Sequence, residues 1–315
     1  MLRAESKFAP RDTSIHRVIN DAGKIILGKE RQIRLAVACM LARGHLLIED
    51  LPGVGKTTLA HTLAKLLGLD FQRISFTSDL LPADIIGVSV FDRDSGTFKF
   101  HPGPIFSQLI LADEINRATP KTQSALLEAM EEHQVTAESE TRPLPEPFFV
   151  VATQNPSHQV GTFPLPESQL DRFLMRIELG YPDRNAERAL LQGTERRALV
   201  AKLDPCLLPG ELIAWQAGVA QVHASAALLD YVQSLVEYTR RAPEFTNGMS
   251  PRAALGILHA AQAWAMLEGR DKVLPEDVQA ILPGVAGHRL APANEGARRR
   301  SAEVAAALIE AVPIP

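Results

Sequence analysis

Apolar residues gather into five runs of strand length through the first 180 positions: H-L-L-I-E (45–49), F-Q-R-I-S-F (71–76), Q-L-I-L-A-D-E (108–114), F-F-V-V-A-T-Q (148–154) and L-M-R-I-E-L (174–179). Most lack the strict polar alternation of a half-exposed strand, which suits parallel strands covered on both faces. Between them the spacing turns helical, as in K-T-T-L-A-H-T-L-A-K-L-L (56–67) and P-K-T-Q-S-A-L-L-E-A-M-E (120–131). The second of these opens with Thr119 in the cap position and Pro120 in the first turn. Strands alternating with helices predict an α/β core around a parallel five-stranded sheet. Two segments break the rhythm, 87–101 and 133–145. The first alternates V-S-V-F, turns at D-S-G and alternates again at T-F-K-F, the pattern of a β-hairpin.

After Y-P-D-R (181–184) the strand runs stop. Helical patterns follow at 226–241, 251–268, 275–282 and 301–312, and Leu228, Val232, Leu235 and Val236 share one face, as core residues do. The chain therefore divides into an α/β unit over 1–182 and an all-α unit over 183–315, in keeping with about two domains for 315 residues.

Composition narrows the function classes. The formal charge is −4, so attraction to nucleic acid would need a local basic patch. The two cysteines, Cys39 and Cys206, build no disulfide framework, and Cys39 lies in the apolar run L-A-V-A-C-M-L-A. No run approaches the roughly 18 apolar residues of a membrane helix, and the first ten residues lack a signal core. A cytoplasmic protein is the expectation.

The candidate chemistry starts at E-D-L-P-G-V-G-K-T-T-L-A (49–60). A phosphate loop, G-x-x-x-x-G-K-[ST], wants glycine where this chain has Asp50. The physical demand is for backbone N–H groups converging on phosphate oxygens, followed by a helix start facing the anion. Gly53 and Gly55 supply that freedom, Lys56 would reach the β- and γ-phosphates, and Thr57 would place its hydroxyl on Mg²⁺. The first position mainly ends the strand, where a short turn-former such as Asp50 is tolerable. Two other strands end in polar groups suited to the same site. Asp113 closes L-I-L-A-D-E in position to hold the Mg²⁺ shell, and Glu114 can polarise the water attacking the γ-phosphate. Asn155 closes F-F-V-V-A-T-Q-N, a neutral donor and acceptor for that water.

P-G-V-G-K-T-T, L-A-D-E-I-N-R-A, F-F-V-V-A-T-Q-N-P, L-P-E-S-Q-L-D-R-F-L-M-R and M-S-P-R-A-A-L together resemble the motif blocks of AAA+ ATPases and, more closely, of the MoxR family. The resemblance covers nearly the whole chain from about residue 18. It implies ATP bound with Mg²⁺ between an α/β core and a helical lid, along Pro52, Gly53, Val54, Gly55, Lys56, Thr57 and Thr58. It implies subunits in a ring, commonly a hexamer. Sensor one falls on Asn155, the arginine finger on Arg172 and the sensor-two arginine on Arg252. The segments 87–101 and 133–145 sit where relatives carry the helix-two and pre-sensor hairpins. Gly28, after Ile26 and Leu27, is where backbone meets adenine in the family, although an ordinary loop-to-helix turn explains it nearly as well.

The residues alone leave the arginines open. Arg172 or Arg176 equally suits a surface ion pair with Glu167 or Glu178. Arg252 at a helix start opposes the dipole, which an anionic ligand would offset. The resemblance implies a chaperone that remodels partner proteins or assists cofactor insertion, working with a von Willebrand factor A domain adaptor. A helicase-like motor is the rival, and a slow nucleotide-gated scaffold a third reading. The segment 131–142 counts Glu131, Glu132, Glu138 and Glu140 against Arg142, which would repel a phosphate backbone.

Overall fold

The structure is a computed structural model that describes residues 14–314 apart from 95, 138–139, 156–161, 194 and 294–299. Ser95, Glu138 and Pro156 lie outside the described residues. The strands are β1 (His45–Glu49), β2 (Phe71–Ser75), β3 (Gly87–Asp92), β4 (Thr97–Pro102), β5 (Leu109–Asp113), β6 (Gln134–Ala137), β7 (Glu140–Pro143), β8 (Phe149–Gln154) and β9 (Phe173–Ile177). The five runs expected as strands form one sheet in the order β2-β5-β8-β1-β9, with every neighbouring pair parallel. The two interrupting segments are separate antiparallel hairpins, β3–β4 and β6–β7.

The helices of the first half are α1 (Ser14–Ile25), α2 (Glu30–Leu41), α3 (Lys56–Leu66), α4 (Pro82–Ile86), α5 (Pro120–Glu132) and α6 (Glu167–Leu170). Those of the second half are α7 (Arg184–Gln192), α8 (Arg196–Ala201), α9 (Pro209–Val219), α10 (Ala226–Arg241), α11 (Pro251–Leu267), α12 (Pro275–Ala286) and α13 (Ser301–Ala311). Thr119 takes the cap position of α5, but its hydroxyl meets that of Thr122 at 3.2 Å instead of capping a backbone N–H.

The pleat explains the two cores. Leu46, Ile48, Leu111, Val151 and Met175 point to one face of the sheet and join the buried residues of α1, α2, α3 and the late helices. Leu47, Ile110, Ala112, Val150 and Phe173 point to the other, beneath Leu126, Leu127, Ala129 and Met130 of α5. With both faces covered, the strands need no polar alternation. Helix α2 packs on α9 and α11, so the helical part shares a core with the α/β part. Leu228, Val232, Leu235 and Val236 are buried there as expected.

Parallel strands give the sheet two chemically distinct ends. Register pairs His45 with Phe173 and Ile48 with Ile177, so Asp50 to Lys56 follow the carboxyl end of β1 while Arg172 precedes the amino end of β9. A strand of five residues separates those ends by about 16 Å.

Candidate active site

At the carboxyl end, the chain leaves β1 and passes through two glycines in the left-handed region, Gly53 (φ 84°) and Gly55 (φ 99°), before α3 begins at Lys56. An L side chain is strained in that region whatever the space. A Cβ on either glycine would meet no protein atom within 4 Å, so the loop is open to a ligand on its outer side. Pro52 and Gly53 are exposed, while Val54, Gly55, Thr57 and Thr58 are half-buried.

Asp50, the departure from the usual loop, is tied at both carboxylate oxygens. Oδ1 accepts from Leu51 N at 2.7 Å and Oδ2 from Gly180 N at 2.6 Å. The carboxylate thereby fastens the start of the loop to the segment leaving β9. The same segment meets Gly28 (φ 69°), where a Cβ would stand 3.1 Å from Asp183 Oδ2, and Lys29 Nζ donates to Tyr181 O at 2.7 Å. Gly28 thus lies at the rim of the loop, connected to it through 180–183.

Lys56 is buried and donates to three acceptors, the carbonyls of Asp50 and Leu51 and Oδ1 of Asn155 at 3.2 Å. Burial lowers its pKa below the ordinary lysine value, against the opposing charges of Asp50, Asp113, Glu114 and Glu49. Asn155, also buried, passes the connection on, its Nδ2 donating to Glu114 Oε1 at 2.9 Å. Glu114 Oε2 accepts from Arg117 Nη1 at 2.8 Å, and that bond more than any other influence holds its carboxyl below the usual range. Glu114 sits at φ 57°, rare for a residue with a side chain, and its N–H donates to Thr153 Oγ1 at 2.8 Å. The Thr153 hydroxyl donates in turn to Asp113 Oδ1 at 2.6 Å, so one buried threonine on β8 holds both the Asp113 carboxylate and the Glu114 backbone at the end of β5. Asp113 Oδ2 also accepts from Arg73 Nε at 3.0 Å. Lys56, Asp113, Glu114 and Asn155 are therefore gathered at one end of three adjacent strands, where open α/β sheets bind ligands.

Arg172 and Arg252 are not there. Arg172 Nη1 donates to Leu127 O and its Nε lies 3.5 Å from Glu131 Oε2, on the last turn of α5 at the amino end of the sheet. Arg252, two residues into α11, places Nη1 2.8 Å from the same Glu131 oxygen. The anion that offsets its position at a helix start is thus a protein carboxylate. Neither Glu167 nor Glu178 is the partner of Arg172. Arg176 is occupied inside the chain, by Glu49 at 2.8 Å, Ser301 Oγ at 2.8 Å and Gly287 O at 3.1 Å. Sequence reasoning missed Arg73, Thr153 and Glu131; the first two stand on β2 and β8, the strands that flank β5, but nothing local marks Glu131.

The arrangement matches known proteins in sequence and in fold. The family described as "ATPase family associated with various cellular activities (AAA)" matches residues 45–175, and the "AAA lid domain" matches residues 237–309. Chaperone MoxR1 of Mycobacterium tuberculosis is 41% identical across 88% of this chain and 75% of its own length. Protein MoxR of Paracoccus denitrificans is 37% identical across 92% and 93%. A crystal structure from Cytophaga hutchinsonii, of a protein assigned as an ATPase, superposes with a TM-score of 0.86 at 36% identity and covers 96% of this chain and 95% of that one. With a phosphate-type loop, paired carboxylates and a polar strand end held in one hydrogen-bonded group, and with relatives alike over three quarters or more of their length, this chain belongs to the MoxR family of AAA+ ATPases and hydrolyses ATP.

Proposed function

We propose that the chain is an ATP-driven chaperone working as a ring, commonly a hexamer, in which each subunit binds nucleotide at its own loop and receives Arg172 and Arg252 from its neighbour. The observation that carries this reading is the separation of the two clusters to opposite ends of one sheet, a strand length apart. Arginines so placed cannot reach their own loop without dismantling the core, whereas a neighbouring subunit can present them. The proposed units are an α/β nucleotide core over 1–182 and a helical lid over 183–315.

In this reading the Gly53 and Gly55 segment turns its N–H groups to the phosphates, and Lys56 exchanges the Asp50 and Leu51 carbonyls for β- and γ-oxygens. Pro52, Val54 and Thr58 shape the walls, and Gly28 lets the backbone approach adenine. The hydroxyl of Thr57 and the carboxylate of Asp113 are hard oxygen donors that fit Mg²⁺, a cation that takes its other ligands from water and phosphate. Bound there by Thr57 and Asp113, Mg²⁺ would neutralise negative charge on the triphosphate. Glu114 and Asn155, bonded to each other, hold the attacking water. Glu114 accepts its proton as oxygen bonds to the γ-phosphorus and the bond to the bridging oxygen breaks, leaving ADP and phosphate. Arg172 and Arg252 of the neighbour stabilise the equatorial charge.

The work done is the remodelling or activation of partner proteins, including assisted cofactor insertion, through a von Willebrand factor A domain adaptor in the cytoplasm. The name of the Mycobacterium relative as a chaperone supports this. No described helix is long and apolar enough to cross a membrane. A nucleic-acid motor has less support, because Arg142 of the second hairpin is ion-paired to Glu140 and its guanidinium lies 3.9 Å over the Phe100 ring. The test is a Glu114→Gln bait in native extract. ATP-dependent recovery of an A-domain protein or an assembling enzyme supports the chaperone reading, and nuclease-sensitive recovery of nucleic-acid proteins would overturn it.

A further inference from the structure

Three segments meet at Glu131: the last turn of α5, the residues entering β9 and the first turn of α11. Arg172 lies along α5, bonded to Leu127 O one turn before Glu131, and turns its Nε toward Glu131 Oε2 at 3.5 Å. Arg252 reaches the same oxygen from the helical part at 2.8 Å. A second link runs beside the first, the Ser250 hydroxyl donating to Asp171 Oδ2 at 3.0 Å. Asp171 is already matched to the buried Arg289, whose Nε stands 2.7 Å from Oδ1. That leaves Arg172 and Arg252 with one carboxylate between them. The cluster is one negative charge short, and all three side chains are partly exposed.

Resting on the reading that the two arginines serve a neighbouring subunit, we infer that Glu131 is a positioning residue for ATP hydrolysis. It holds guanidiniums from two different segments side by side, so that both meet the neighbour's phosphates as one preformed pair. The carboxylate does three things at once. It offsets the repulsion that would splay the two cations. It fixes Arg252 against the unfavourable field of a helix start. It joins the helical part to α5, so that a shift of the lid moves both arginines together. The missing charge faces outward, where a phosphate supplies it. Glu131 touches neither nucleotide nor water in this scheme and acts through the arginines alone.

The consequence is a defect in turnover that a neighbour can repair. Glu131→Ala rings are expected to lose about 10- to 100-fold in kcat, the scale of a misplaced catalytic group, with the ATP KM changed less than about twofold. The decisive assay mixes Glu131→Ala subunits with Lys56→Ala subunits, whose loop is disabled but whose arginine pair is intact. Recovery of turnover above either parent supports the inference, since a structural defect within one subunit is not cured by its neighbour. Arg172→Ala mixed with Lys56→Ala serves as the reference. Recovery there without recovery for Glu131→Ala overturns the role of Glu131 and leaves the shared site standing. Recovery in neither, with co-assembly confirmed, overturns the shared site itself. Should Glu131→Ala fail to assemble, the isosteric Glu131→Gln takes its place. Wild-type turnover from either variant overturns the inference.

Discussion

The two ends of the sheet are built on different principles. At the carboxyl end, register alone brings Lys56, Asn155, Glu114 and Asp113 together, because β1, β8 and β5 are adjacent and parallel. The groups there are bonded to one another and sit beside an open, glycine-lined loop. At the amino end, two arginines from segments far apart in sequence converge on one carboxylate beside a helix end. One end is a complete place for a phosphate without its final cations, and the other is a set of cations without a phosphate. On the proposed reading, a chain that carries both halves facing away from each other completes its site by meeting a second copy of itself.

The sharpest way to break the comparison is to disable the carboxyl end in two distinguishable ways. Lys56→Ala removes the ammonium proposed to contact the phosphates and should abolish measurable ATP binding. Glu114→Gln keeps the hydrogen bond to Asn155, so binding should persist while turnover falls by about 10² to 10⁴, the worth of a general base. Equilibrium binding of a fluorescent ATP analogue beside steady-state turnover separates the two; equal loss of binding in both would sink the division of roles. At the amino end, Arg172→Ala should lower turnover by about 10³ while leaving binding untouched. Arg252→Ala should act in the same direction. Mixing Arg172→Ala with Lys56→Ala subunits should restore activity, and its absence in confirmed mixed rings would count against two half-sites.

The difference between the ends also explains what the sequence makes legible. Asp113, Glu114 and Asn155 stand at the ends of apolar runs and Lys56 follows the loop that leaves β1, and a parallel sheet puts such positions on one edge whatever the details. The five strands and the first hairpin are readable for the same reason, since their periods are local, whereas the second hairpin is expected only from the resemblance. The partner of Arg172 is not local. Glu167 and Glu178 are near it in sequence, yet the guanidinium reaches Glu131 because α5 runs back across the sheet to the amino end of β1. Arg252 reads as a cation awaiting an anionic ligand, and only tertiary packing reveals the carboxylate that fills that role. Helix α9 is likewise set by packing rather than by a stripe, whereas α1 buries Ile15, Val18, Ile19, Ala22 and Ile25 at helical spacing, a pattern that is local and legible.

A smaller effect separates the ends by pH. Buried His45 lies at the amino end, where its Nδ1 accepts from Val150 N at 3.0 Å and its Nε2 meets Met130 O at 3.2 Å, next to Glu131. Burial lowers its pKa to about 4, against about 6.5 in the unfolded chain. Between those values the unfolded chain binds the proton and the folded chain does not. Stability is therefore fully present above pH ~6.5 and falls as acid is added, by up to about 3 kcal/mol at pH ~4. Burial acts on His288 in the same sense. Thermal unfolding from pH 7 to 4.5 should show the decline, and His45→Gln should flatten part of it. A melting temperature level down to pH 4.5 would contradict a buried neutral imidazole at this end.

The smallest effect concerns Asp50, and it puts the usual phosphate-loop pattern against the local geometry. Asp50→Gly restores glycine at the first position of that pattern. It also deletes the carboxylate that accepts from Leu51 N at 2.7 Å and Gly180 N at 2.6 Å, unfastening the loop from the segment that borders Gly28. Charge-assisted bonds at a half-buried site of this kind are worth about 1–2 kcal/mol together after solvent screening. The variant nearer the pattern should therefore be the worse enzyme, with a lower melting temperature and an ATP KM raised by up to about 10-fold at nearly constant kcat. Asp50→Asn, which keeps one acceptor, should fall between. If Asp50→Gly binds ATP as tightly as the native chain, the aspartate is a tolerated turn residue and the loop holds its shape through Gly53, Gly55 and Lys56 alone. If it binds more weakly, the phosphate end owes part of its order to the strand beyond β1, and its apparent self-sufficiency depends on a bond made 130 residues away.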